Sequence, residues 1–188
     1  MKNLANILTI TRLALLPFMI VLFYLPFNWA AWLCLVLFTI GALTDFFDGW
    51  VARKFNQISE FGKLMDPIAD KVFVITILLM LVASGRIDGF YVLCVVVILM
   101  REFVVSGIRE YLAPKNIKLP VTNMAKWKTT VQMLATGLLI LAPVNVYADA
   151  GGKIFLVLAA AMTVVTGAQY LTSAFKHLRA DHDAGAGL

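Results

Sequence analysis

Four aspartates in one stretch of an otherwise apolar chain, Asp45, Asp48, Asp66 and Asp70, are the residues whose types and spacing could do chemistry. Asp45 and Asp48 are spaced i, i+3 and Asp66 and Asp70 i, i+4, so on helices each pair lies on one face. Two such faces turned toward each other would gather four carboxylates. At that proximity the charges repel, which raises at least one pKa unless cations bind between them. The spacing therefore points to a divalent metal site, and oxygen-only ligands suit hard ions such as Mg2+ or Mn2+. Carboxylates at membrane depth are costly to desolvate and mark a functional site.

The elements that must hold these residues follow from composition. Of the 188 residues, 61% are hydrophobic and 14% charged, more apolar surface than a soluble chain of this length can hide. We read an all-α, polytopic membrane protein with six transmembrane helices. A single membrane domain covers 1–180, followed by a polar tail over 181–188. Cys34 and Cys94 sit in apolar runs and read as small hydrophobes. No small-x-small cleavage site follows the first apolar segment, so no cleaved signal peptide is expected.

The uncharged run between Arg12 and Asp45 is longer than one span requires and is interrupted near Pro26 and Asn28, which predicts helices over 5–25 and 29–54. The uncharged runs after Lys71 and after Asp88 are too short to span alone. Helices three, 62–84, and four, 89–112, must therefore carry Asp66, Asp70 and Lys71, and Arg101, Glu102 and Arg109. The apolar runs 129–148 and 154–175 supply helices five and six. The turns near Pro26, Gly85 and 149–153 hold only Arg86 and Lys153 among the basic residues, which places both termini and the loops 53–63 and 113–128 in the cytoplasm. All the intramembrane charges then fall in the cytoplasmic half.

With its spacers the central stretch reads Asp45-x2-Asp48-Gly49-x2-Ala52-Arg53-x8-Gly62-x3-Asp66-x3-Asp70. It resembles, at every fixed position, the signature of the CDP-alcohol phosphotransferase family. That resemblance implies a six-helix membrane enzyme, a homodimer, which transfers a phosphatidyl or similar group from a CDP-linked donor to an alcohol and releases CMP. It further implies that Asp45, Asp48, Asp66 and Asp70 bind two divalent cations, Mg2+ or Mn2+, and that Asp70 is also the general base. Gly49, Arg53, Ser59 and Gly62, together with Asp45, match positions around the CDP-diacylglycerol donor. Asn6 and Thr9 resemble the element that closes over the nucleotide. The physical reading is compatible: small residues clear space beside the helices, although close helix packing gives the same letters, and Arg53 offers a fork suited to a pyrophosphate.

Downstream, Arg101-Glu102-Phe103-Val104-Val105-Ser106-Gly107-Ile108-Arg109-Glu110 and Lys126-Trp127-Lys128-Thr129 with Gln132-Met133 resemble the branch of the family whose acceptor is sn-glycerol 3-phosphate. A phosphorylated acceptor needs cations, and Arg101, Arg109, Lys126 and Lys128 are the candidates, Arg101 and Arg109 being expected to share a face. Against this, Arg101 could pair with acidic neighbours and the lysines could serve topology alone. Cardiolipin, phosphatidylinositol-phosphate and phosphatidylserine synthases are the alternatives within the family. A cation or proton-coupled transporter is the alternative outside it, though one would place carboxylates nearer the midplane. The expected location is the inner membrane with the site facing the cytoplasm. No nucleic-acid partner is expected.

Overall fold

A computed structural model describes residues 4–55, 60–113 and 123–185. These form six helices and, among the described residues, no strand: α1 Leu4–Tyr24, α2 Asn28–Phe55, α3 Glu60–Ala83, α4 Tyr91–Leu112, α5 Asn123–Ile140 and α6 Val146–Gly185. The first four match the expected helices within two residues at each end. Among the described residues two helical stretches, Tyr91–Leu112 and Val146–Lys176, are long and apolar enough to cross a membrane.

The last two helices differ from expectation. The apolar run 129–148 was expected to be one helix, but α5 begins six residues earlier, at Asn123, and stops at Ile140. Pro143 explains the stop, since its ring disfavours helix at Ala142 and it brings no N–H of its own. Tight turns replace the helix there, with Val144 N–H donating to Leu141 O at 2.9 Å. Asn145 then starts α6 eight residues before the expected 154: its Oδ1 accepts the Tyr147 N–H at 2.8 Å, an N-cap, and Asp149 lies in the first turn. At the far end, the polar residues expected as a tail from Asp181 continue α6 to Gly185.

The helices pack as a ring. α1 lies against α2 and α3, α6 against α4 and α5, α2 against α5 and α3 against α4, while α3 also touches α5 across the ring. Met19, Ile77, Leu78, Leu81, Ile98, Leu139 and Leu156 fill its inside without exposure. Large apolar side chains such as Phe18, Trp32, Leu79, Met100, Trp127 and Val164 face outward from all six helices. A bundle apolar inside and out suggests a membrane protein.

One end of the ring is tied by Arg86. The α3 C-terminus closes in a Schellman turn around Gly85, whose φ of 70° favours glycine, with Arg86 N–H donating to Leu81 O at 3.0 Å. The Arg86 guanidinium then lies 4.6 Å from the Phe23 ring centroid on α1, and its Nη1 donates to Ile140 O, the last carbonyl of α5, at 2.8 Å. Three C-termini thus meet, which makes α1, α3 and α5 parallel. Their N-terminal halves, with Arg12, Asp70 and Lys128, share the opposite half of the bundle.

Adjacent glycines on α6 provide a test of the packing. A Cβ on Gly152 would come within 2.7 Å of Leu139 Cγ and 3.1 Å of the Leu139 backbone nitrogen, whereas one on Gly151 would make only an ordinary 3.6 Å contact with Leu138. Gly152→Ala should cost about 1–3 kcal/mol. Gly151→Ala should be neutral or gain a few tenths of a kcal/mol from the lower entropy of the unfolded chain. Thermal unfolding in detergent of the two variants side by side checks the contrast.

Candidate active site

The site is built from the N-terminal halves of α1, α3 and α5 and the C-terminal halves of α2 and α4. Asp45, Asp48, Gly49 and Arg53 lie on the helical backbone of α2, Gly62 and Asp66 on that of α3, and Asn6 on that of α1. Their side chains, and Ser59 altogether, fall outside the described residues. Thr9, Arg12 and Asp70 are described and lie close to one another in the fold. Thr9 and Arg12, three residues apart on one face of α1, are both only 3% exposed, and Arg12 Nη1 donates to Asp70 Oδ1 in an ion pair between α1 and α3. The Asp70 side chain remains 44% exposed. Arg12 holds one oxygen of this carboxylate and leaves the group accessible.

A second cluster faces it from α4 and α5. Arg101 Nη1 donates to Glu102 Oε1 at 3.2 Å, and Lys128 Nζ donates to the same oxygen. The alternative in which Arg101 pairs with an acidic neighbour is thus what forms, and Lys128, 3% exposed, joins it. The stem of Arg101 passes close to Gly167 of α6, where a Cβ would lie 3.1 Å from Arg101 Cγ. Two cations on one carboxylate leave this cluster with net positive charge. Arg101 Nε is buried and makes no hydrogen bond among the described residues.

The four basic residues singled out in the sequence are divided by the fold. Arg101 and Lys128 turn inward, while Arg109 and Lys126 are exposed. Helix geometry gives the reason. Eight residues advance an α-helix by about two turns plus 80°, so Arg101 and Arg109 do not share the expected face. Lys126 and Lys128, two apart, lie on nearly opposite sides of α5, and only one of them can face in.

Between the two clusters lies a cavity of about 160 Å³. Arg12, Asp70, Lys71, Glu102, Thr129 and Gln132 contribute its polar wall, with Gly41, Phe73, Ile98 and Met133 among its apolar lining. The Phe73 ring stacks on Phe38 with centroids 5.9 Å apart, and its edge occupies the space a Cβ on Gly41 would need, 2.5 Å away. Lys71 reaches Glu110 at 3.8 Å and links α3 to α4 beside the cavity. Arg12, Glu102 and Gln132 were not among the predicted site residues. Arg12, a charge in the first apolar helix, carried a signal in the sequence. The role of Glu102 depends on Lys128, 26 residues further along.

Among the described residues no group of three or more His, Cys, Asp or Glu forms a metal cluster. The described parts nevertheless fit a hard cation. The backbone is helical through both aspartate pairs, which puts each pair on one face, and Asp70, an oxygen donor, stands accessible at the cavity.

These features, an aspartate-bearing helix pair and a facing cationic cluster around one cavity in an apolar six-helix ring, belong to a known class. Residues 2–166 match the family model described as CDP-alcohol phosphatidyltransferase, and the chain belongs to that family of transferases. Among its relatives, a protein of Rickettsia typhi is 44% identical over 173 residues, covering 90% of this chain and 96% of its own length. Another from Rickettsia bellii is 42% identical, covering 94% and 97%, and one from Salmonella choleraesuis is 38% identical, covering 92% and 94%. All three carry the name CDP-diacylglycerol--glycerol-3-phosphate 3-phosphatidyltransferase.

The Glu102 cluster yields a measurable coupling. Glu102→Gln strands the Lys128 ammonium in a buried site and should cost about 3–5 kcal/mol of stability. The double variant Glu102→Gln, Lys128→Met should recover most of that loss. A double-mutant cycle on unfolding midpoints, completed with Lys128→Met alone, checks it.

Proposed function

We propose that this chain transfers the phosphatidyl group of CDP-diacylglycerol to sn-glycerol 3-phosphate, giving phosphatidylglycerophosphate and CMP. The observation that carries the reading is the 38–44% identity, over nine-tenths of the chain, to proteins named for that reaction. The geometry supports it: an accessible carboxylate on one wall of the cavity and a net positive cluster beside the other suit an acceptor with a hydroxyl at one end and a phosphate at the other.

In this reading Asp70 takes the proton of the attacking hydroxyl, and Arg12 orients it by holding Oδ1. Arg101 and Lys128 bind the acceptor phosphate, with Glu102 keeping both extended toward it. Arg109 and Lys126, being exposed, attract the anionic acceptor to the mouth rather than hold it. Asp45, Asp48, Asp66 and Asp70 hold two divalent cations, Mg2+ or Mn2+, which when bound neutralise the donor pyrophosphate and stabilise the leaving CMP. Asn6, Thr9, Gly49, Arg53, Ser59 and Gly62 surround the donor. The apolar outer face and the charge distribution support six spans in the inner membrane, with both termini and the site on the cytoplasmic side, and the family resemblance supports a homodimer.

The test is CMP release from CDP-diacylglycerol with sn-glycerol 3-phosphate, inositol phosphate, serine or phosphatidylglycerol as acceptor. Turnover should require the first of these. Excess chelator should abolish it and Mg2+ restore it, and Asp48→Asn should remain inactive at any Mg2+ level while still inserting and folding. Lys128→Ala should lower kcat/KM for the acceptor by about one to two powers of ten, the usual consequence of losing a charge-assisted contact, with the KM for CDP-diacylglycerol unchanged. Full turnover in chelator, or release with another acceptor alone, would overturn the reading.

A further inference from the structure

The cavity wall contains one buried polar side chain that the mechanism above does not use. Gln132, only 5% exposed, lines the cavity, and its Oε1 is buried without a hydrogen bond among the described residues. The buried threonines of α5 and α6 do not share this state. Thr136, Thr163 and Thr166 each return their hydroxyl to a backbone carbonyl one turn back on their own helix, at 2.9, 2.6 and 2.7 Å. A helix can satisfy a buried threonine by itself but not a glutamine amide, so the amide oxygen needs a donor from outside the helix.

Position narrows the donor. Gln132 lies one turn beyond Lys128 on the same face of α5, about 6 Å further along the axis. That is about the length of a three-carbon phosphate. Asp70 lines the same cavity from α3, which runs parallel to α5. An acceptor whose phosphate sits at Lys128 and Arg101 and whose terminal hydroxyl faces Asp70 therefore brings its middle carbon past Gln132. The phosphate dianion has no proton to give an amide oxygen, whereas a hydroxyl has one.

We propose that Gln132 is a specificity residue for the acceptor: its Oε1 accepts a hydrogen bond from the secondary hydroxyl of sn-glycerol 3-phosphate and so selects a vicinal diol phosphate over a simple hydroxyalkyl phosphate. The inference rests on the acceptor reading under Proposed function and adds a third point of contact to the phosphate and the attacking hydroxyl. A site built to bond a substrate hydroxyl rejects the analogue lacking it, because the buried group is then left unpaired.

The test uses the full chain in mixed micelles with saturating CDP-diacylglycerol and Mg2+, comparing sn-glycerol 3-phosphate with 3-hydroxypropyl phosphate, which lacks only the middle hydroxyl. The wild-type protein should prefer glycerol 3-phosphate by about 10- to 100-fold in kcat/KM, the usual consequence of stranding a buried acceptor. Gln132→Met, close in volume and apolar, should bring the ratio to within about threefold of unity, under 1 kcal/mol, through loss on glycerol 3-phosphate alone, with the KM for CDP-diacylglycerol unchanged. Equal use of both acceptors by the wild-type protein overturns the proposal and needs no variant. So does a variant that keeps the full preference, or one in which both acceptors fall together, which would place Gln132 at the phosphate. Absence of CMP release with glycerol 3-phosphate in the wild type would instead overturn the acceptor reading, and this inference with it.

Discussion

A charge inside a hydrocarbon bundle must find a counter-charge, and the arrangement of this protein follows from where it finds them. Taking an ion out of water costs several kcal/mol, which is recovered only by close pairing. Arg12 on α1 meets Asp70 on α3, and Glu102 on α4 meets Arg101 beside it and Lys128 on α5. The Arg12–Asp70 and Lys128–Glu102 pairs each join two helices, and together they draw four of the six toward one cavity. At the other end the closure is of a different kind: Arg86 ties α1 and α5 to the α3–α4 turn through a ring face and a carbonyl. One end of the ring is fixed by a clamp and the other is held by ion pairs around a space.

Ion pairs of this sort are poor sources of stability, since well-packed apolar side chains of similar volume do as well or better. Their presence in so apolar a bundle is explained by what they face. Arg12 leaves Asp70 accessible at the cavity. Glu102 holds two cations and cancels only one. The wall between them includes a glutamine amide oxygen with no hydrogen bond of its own among the described residues. Among the described residues such a cavity is left incomplete, as one that takes a polar ligand would be.

Much of this was legible in the sequence. The aspartate spacing pointed to a candidate site, of which Asp70 lines the cavity, because period and residue type are local properties, and the first four helices followed from where uncharged runs began and ended. The α5–α6 boundary was misjudged because hydropathy does not register Pro143, whose effect is on backbone geometry rather than polarity. The basic residues were recognised as a set, but side-chain direction divided them: a two-residue offset separates Lys126 from Lys128 on α5, and 80° separates Arg109 from Arg101 on α4. Arg12, Glu102 and Gln132 depend on partners or walls contributed by other helices, and no single segment reveals such a partner.

The central claim is that the buried charges of the bundle are kept for chemistry and not for the fold. Replacing both members of the α1–α3 pair, Arg12→Met with Asp70→Leu, tests it most directly. The unfolding midpoint in detergent and acceptor-dependent CMP release are then measured on the same preparation. The account expects a midpoint at or above that of the parent chain and no detectable turnover. A double variant that fails to fold, or one that still releases CMP, would contradict it.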